Sequence, residues 1–237
     1  MLISQTKIAI PIMQKNEEDI LKTAEDYIKK EADILELRID AITDATSEMI
    51  ENIVDTIFFP IIATNRTKSE GGDFLGSERE RINLLKTCCN LKHVEYIDIE
   101  LQTDPCLRDY ILGKCSDAEV KTIISYHDFE KTPSVDNLLE IVNQEKELGN
   151  IAKVVVMPKD LEDTISVLAI MSRCDNTIGI SMGELGSYTR LMASKFNSPI
   201  TFATGGDVTA PGQIDIETMK LMLNMDLMDE GDLLDDI

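Results

Sequence analysis

Residues 151–182 read IAKVVVMPKDLEDTISVLAIMSRCDNTIGISM. Two β-branched runs, Ile151–Met157 and Thr177–Met182, flank Leu161–Arg173, whose apolar residues recur at helical spacing. Both runs are apolar over most of their length, as strands covered on both faces must be. A strand, a helix and a second strand predict a parallel pair joined by a right-handed crossover. The same unit recurs in the N- and C-terminal directions. Further strands are expected at Lys7–Pro11, Ile34–Asp40, Phe58–Arg66, Val94–Leu101, Lys121–His127 and Ile200–Thr204. Helices are expected at Asn16–Glu31, Ser77–Asn90, Ser134–Leu148 and Ser187–Phe196. Eight strands close a barrel, whereas open doubly wound sheets hold about five to seven. The 237 residues are also close to the roughly 250 typical of that barrel. The expectation is one α/β domain, a (β/α)8 TIM barrel over residues 1–237, with an open sheet as the alternative. The acidic end, DLMDEGDLLDDI at 226–237, reads as a solvated terminus.

Composition narrows the function. Hydrophobic residues make up 43% of the chain, enough for a sizeable core and against disorder. The 23 basic and 44 acidic residues leave a formal charge of −21, a field that repels nucleic acid and anionic membrane surfaces. The cysteines Cys88, Cys89, Cys106, Cys115 and Cys174 form no C-x-x-C pair, which fits reduced thiols better than a disulfide framework or zinc site. No apolar run approaches about 18 residues, and the N-terminal apolar stretch is too short for a signal peptide. A cytoplasmic protein is expected.

Charged residues interrupt the strands, always toward their C-terminal ends. Glu36, Arg38 and Asp40 alternate with apolar residues and should share one face, as should Asp98 and Glu100. Arg66 closes one strand with Glu70 four residues on, and His127 closes another. Any one of these could be an edge residue or a structural ion pair. A barrel has no edges, however, and its C-terminal mouth is where ligand-binding groups gather. Together they predict a polar pocket at that mouth.

Lys153 is the sharpest of these signals. An ammonium among Ile151, Val154, Val155 and Val156 is costly unless paired, and burial beside arginines favours the neutral, nucleophilic amine. A snorkelling or salt-bridged lysine is the competing reading. A lysine nucleophile attacks carbonyls to give imines, so a ketone or aldehyde is the expected substrate class. His127 offers a proton shuttle near neutral pH, and a glutamate such as Glu70 could fix its tautomer. Arg190, after a glycine-bearing loop, could clamp a carboxylate bidentately. The loop after the eighth strand, with Gly205 and Gly206, could bind phosphate or close over a substrate. The two histidines, His93 and His127, lie far apart without supporting ligands, which argues against a metal site.

The segments ILELRID, Arg66 and Glu70 before Gly71-Gly72, YIDIEL, SYHDF followed by KTP, KVVVMPK, ISMGELGSYTR and TAPGQI, in this order, resemble the type I 3-dehydroquinate dehydratases, Schiff-base enzymes of the shikimate pathway. The resemblance runs from the first strand to the loop after the eighth. It implies that Lys153 forms the imine, that His127 is general base and then acid, and that Glu70 orients His127. It further implies that Glu36, Arg38 and Arg66 hold ring hydroxyls and that Arg190 and Gln213 hold the carboxylate. Met182, Phe202, Thr209 and Ala210 would line the pocket, with 209–213 as a lid. No cofactor is implied, and relatives suggest a homodimer and dehydration alone. Thr209 stands where a serine is common, and Pro11 lacks a polar side chain at a position that can carry one. A sugar-phosphate aldolase using Lys153, or an idle scaffold binding a metabolite, remains as a rival.

Overall fold

The computed structural model describes residues 6–206 and 212–225. Among them, eight strands form one parallel sheet: β1 (Lys7–Ile12), β2 (Ile34–Arg38), β3 (Ile61–Thr64), β4 (Val94–Glu100), β5 (Lys121–Asp128), β6 (Ile151–Val156), β7 (Thr177–Ser181) and β8 (Ile200–Phe202). The order β7-β6-β5-β4-β3-β2-β1-β8 brings the last strand beside the first, leaving a seam between β7 and β8. The architecture is the expected (β/α)8 TIM barrel.

The crossovers are helices with side-chain caps. Asn16, Thr46, Ser134 and Asp160 each accept the backbone N–H three residues on at the starts of α1 (Glu17–Lys29), α2 (Ser47–Ile57), α5 (Val135–Leu148) and α6 (Leu161–Arg173). Ser77 and Glu80 form a reciprocal capping box at α3 (Glu78–Cys88). Asp104 caps α4 (Pro105–Asp117), where Pro105 occupies the first turn. After β7 the crossover departs from an ordinary helix: one turn, α7 (Gly183–Gly186), continues as a 3-10 stretch, Ser187–Phe196. The last helix, α8 (Ile216–Met225), follows β8.

Three strand expectations need correction. The second strand stops at Arg38, and Ile39–Ala41 form a 3-10 turn, so Asp40 leaves the face shared by Glu36 and Arg38. The third begins only at Ile61: Phe58 ends α2 with φ 48°, and Pro60 follows. The eighth is shorter than expected, and Thr204 instead makes an isolated bridge to Asp215.

Side chains of period two divide the sheet into two cores. Outward residues such as Leu35, Ile97, Val154 and Val156 pack under the helices. Inward residues Ile34, Ile62, Tyr96, Ile123, Ile151, Ile178 and Ile200 fill the barrel interior. Two residues further along, the inward positions of β2 to β6 turn polar, with Glu36, Thr64, Asp98, Ser125 and Lys153 all buried, while Ile180 on β7 and Phe202 on β8 stay apolar. The apolar plug below them makes the barrel a solid floor under a polar cup.

Candidate active site

Register carries the cup's chemistry to one place. Glu100 is the ladder partner of Ser125, and Ser125 is the partner of Lys153. Lys153 Nζ donates to Asp98 Oδ2 at 2.8 Å, and Glu36 Oε1 lies 3.5 Å away. The Phe202 ring covers the same ammonium at 4.3 Å from its centroid. The strand pattern placed arginines beside this amine; its nearest charges are instead two carboxylates, and Arg66 reaches it through Asp98.

Arg66 closes the cluster. Its Nη2 is 2.9 Å from Asp98 Oδ1, its Nη1 donates to Ser125 Oγ at 2.6 Å, and Glu100 Oε1 lies 3.4 Å off. Glu100 also accepts the Thr67 backbone N–H at 3.0 Å and Arg81 Nη1 at 2.6 Å. Burial works against charge here, and the ion pairs decide the outcome. Burial alone would raise the Asp98 carboxyl, but Arg66 and Lys153 hold it far below the usual carboxylate range. Burial alone would lower Arg66, but Asp98 and Glu100 push it up.

Asp40 shows why a buried carboxylate outside the strand matters. It takes Arg38 Nε at 2.9 Å and Nη2 at 2.7 Å, a bidentate pair. It also accepts the backbone N–H of Arg66 at 3.0 Å and of Asp73 at 3.1 Å. One side chain thus fixes the Arg38 guanidinium and both ends of the loop that carries Glu70.

That loop turns at two glycines. Gly71 has φ +80°, and a Cβ there would overlap the Phe129 ring; at Gly72 it would overlap the Arg66 backbone. The tight turn delivers Glu70 to His127: Glu70 Oε2 lies 3.0 Å from His127 Nδ1 and accepts the His127 backbone N–H at 3.0 Å. Burial, with help from Glu100, pushes the Glu70 carboxyl up to about 8 despite Arg66. Burial, followed by the charges of Arg66 and Lys153, drives His127 well below its ordinary value, so the imidazole is neutral.

The cavity above these groups is lined by Pro11, Glu36, Arg38, Arg66, Glu70, His127, Lys153, Met182, Arg190, Phe202 and Gln213. Gly71, Phe129, Val155 and Ile180 complete the wall. Arg190 is 2% exposed, and its Nε donates to the Gly212 carbonyl at 3.2 Å. No salt bridge among the described residues involves it, and burial lowers it to about 10. A buried guanidinium held this way is a ready receptor for an anionic ligand. The 3-10 segment therefore turns Arg190 inward, not onto a helix surface.

Of the twelve residues that the sequence assigned to the site, ten meet around this one cavity. Thr209 and Ala210 lie outside the described residues, as does most of the expected lid. His93 lies apart, its ring tilted against Phe58 with centroids 4.2 Å apart. Sequence reasoning counted Asp98, Glu100 and Asp40 among the charges of a polar mouth without giving any of them an individual role, and it did not single out Ser125 or Thr64. The charge alternation of YIDIE and ILELRID was the available signal for three of them. Ser125 and Thr64 become visible only as inward neighbours of Lys153 and Glu36.

The fold agrees with what this chain is similar to. The family model for type I 3-dehydroquinase matches residues 8–230. A 3-dehydroquinate dehydratase of Methanobrevibacter smithii is 60% identical over 226 residues, covering 95% of this chain and 98% of the relative. One of Methanothermobacter thermautotrophicus is 44% identical, covering 95% and 99%. The crystal structure of a type I 3-dehydroquinate dehydratase from Clostridium difficile, with covalent modified comenic acid, superposes with TM-score 0.88 at 30% identity, covering 94% of this chain and 93% of that one.

Proposed function

The chain belongs to the type I 3-dehydroquinase family, and from that premise we propose that it is a hydro-lyase converting 3-dehydroquinate to 3-dehydroshikimate through a Schiff base on Lys153. The Lys153 amine attacks the substrate ketone and, with loss of water, becomes an iminium. His127 removes a proton from the carbon next to the former ketone, and the electron pair flows into the iminium to give an enamine. The enamine then expels the hydroxyl one carbon further on, which leaves as water with the proton from His127. Hydrolysis of the iminium releases product and regenerates the amine. The imine is the electron sink, so the residues of the pocket suffice for this chemistry.

Glu70 holds Nδ1 of His127 and leaves Nε2 to face the substrate. Glu36, Arg38 and Arg66 bind the ring hydroxyls; Arg190 and Gln213 bind the carboxylate. Met182 and Phe202 supply apolar walls, and Thr209 and Ala210 are further substrate-binding residues. Because the protein averages −21 and the substrate is an anion, the local cations of the pocket must provide the attraction. The reading places the enzyme in the shikimate route to aromatic amino acids.

The observation that carries it is the meeting, in one buried cavity, of a lysine amine, a neutral histidine with a carboxyl at Nδ1, and an arginine with no acidic partner among the described residues. Borohydride trapping of the purified protein with 3-dehydroquinate, followed by peptide mass mapping, tests it. A reduced adduct on Lys153 is expected. A folded protein with unmodified Lys153 sinks the proposal.

A further inference from the structure

We propose that Asp98 is a further catalytic residue: a fixed counter-ion that holds the Lys153 nitrogen while it is a cation and stabilises the iminium formed on it. The inference rests on the Schiff-base reading. Two carboxylates approach Lys153 Nζ, and they are not equivalent. Glu36 is the more distant, at 3.5 Å, and forms part of the cavity wall. Asp98 is at 2.8 Å, its side chain is fully buried, and it is absent from that wall. It contacts the reacting nitrogen from beneath, on the side away from an incoming ligand, so substrate does not displace it.

The other oxygen of Asp98 is already committed. Oδ1 faces Arg66 Nη2 at 2.9 Å and accepts the Ser125 hydroxyl at 2.6 Å. A carboxylate with three donors on its two oxygens resists protonation, so Asp98 serves as an anion and not as a proton acceptor. His127 keeps the proton-transfer role. Imine formation replaces the ammonium with an iminium that retains one N–H, and that N–H keeps its acceptor at Oδ2. The enamine between the two iminium states is neutral and gains nothing from the anion. Asp98 therefore assists the two steps that create a cation at this nitrogen, imine formation and the expulsion of the hydroxyl from the enamine, and the proton abstraction between them belongs to His127. A preorganised charge in a dry site acts strongly because it needs no reorganisation during the reaction.

The test compares wild type with Asp98→Asn in three measurements: turnover, the rate of borohydride inactivation in the presence of 3-dehydroshikimate, and the rise in melting temperature that this product causes. Asp98→Asn is expected to lower kcat on the order of 10²-fold and to slow borohydride inactivation by about as much. The product-induced rise in melting temperature should persist, because other side chains bind the carboxylate and hydroxyls. A merely structural role would instead lose binding together with trapping. A folded Asp98→Asn that traps the imine at the wild-type rate overturns the proposal. Should the buried Arg66 and Lys153 charges prevent that variant from folding, Asp98→Glu carries the test. It keeps the charge but moves it by one methylene, and it should show the same loss of trapping in milder form; wild-type trapping overturns the proposal. If wild type itself forms no adduct, the Schiff-base reading falls first and this inference with it.

Discussion

One oxygen of Glu70, Oε2, engages His127 twice, at 3.0 Å from Nδ1 and at 3.0 Å from the backbone N–H. Position and tautomer of the imidazole are thus set by a single carboxyl. Burial pushes that carboxyl up to about 8 while it drives the histidine below its usual range. The two groups titrate as a dyad. Near neutral pH the dyad carries a proton on Glu70, and losing it gives a carboxylate that accepts Nδ1–H and frees Nε2 to act as base. Activity should therefore rise with pH through an apparent pKa near 8. In Glu70→Gln the amide oxygen accepts Nδ1–H without titrating, so the acid limb of kcat/KM should move to lower pH. An unmoved limb would separate Glu70 from the titration.

For Lys153→Ala the expected result is abolished turnover, because the electron sink is gone. The variant also leaves Asp98 and Glu36 without their shared cation, a loss of roughly 3–5 kcal/mol if they stay ionised. Assay and thermal unfolding on the same preparation separate the two effects. Retained dehydration would contradict the Schiff-base reading.

His127→Ala should still form the imine, since the amine is intact, but turnover should drop roughly 10²-fold or more with the general base removed. Borohydride trapping beside steady-state kinetics checks both halves. Normal turnover would dismiss His127 as the base.

Arg190→Ala should raise KM far more than it lowers kcat, as expected for a contact made equally in ground and transition states. Carboxylated ligands that raise the melting temperature of wild type should do so much less in the variant. An unchanged KM would remove the carboxylate role.

Glu145 on α5 lies outside the site, fully buried behind β6; among the described residues its carboxyl oxygens make no well-formed hydrogen bond, and the Lys153 backbone N–H is only a weak donor to it. Burial, followed by the charges of Asp98 and Glu70, raises it well above the usual range. A raised carboxyl contributes most stability below its unfolded value near 4.5 and loses it as pH climbs through the folded value. Glu145→Met should therefore stabilise the protein by roughly 1–3 kcal/mol. The gap should widen as pH rises above about 4.5. Denaturant unfolding at two pH values would show it, and equal stabilities would mean that the carboxyl has found a partner.

The alternation of β-branched runs with helical stretches determined the barrel from sequence alone, because burial on both faces demands the first pattern and an amphipathic crossover the second. The period of two along each strand likewise marked Glu36, Arg38, His127 and Lys153 as residues that could face a common interior. Which of them meet is a different matter. Asp98 and Ser125 reach Lys153 only through the register of β4, β5 and β6, and Asp40 serves the site only because the chain leaves β2 two residues early. Arg190 was legible as a possible carboxylate clamp, but its burial depends on the 3-10 segment that turns it inward. Local pattern specifies which way a side chain points along its own strand. Partners, burial and charge state depend on closure of the sheet, which joins residues as far apart as Glu36 and Lys153 and cannot be read from either neighbourhood.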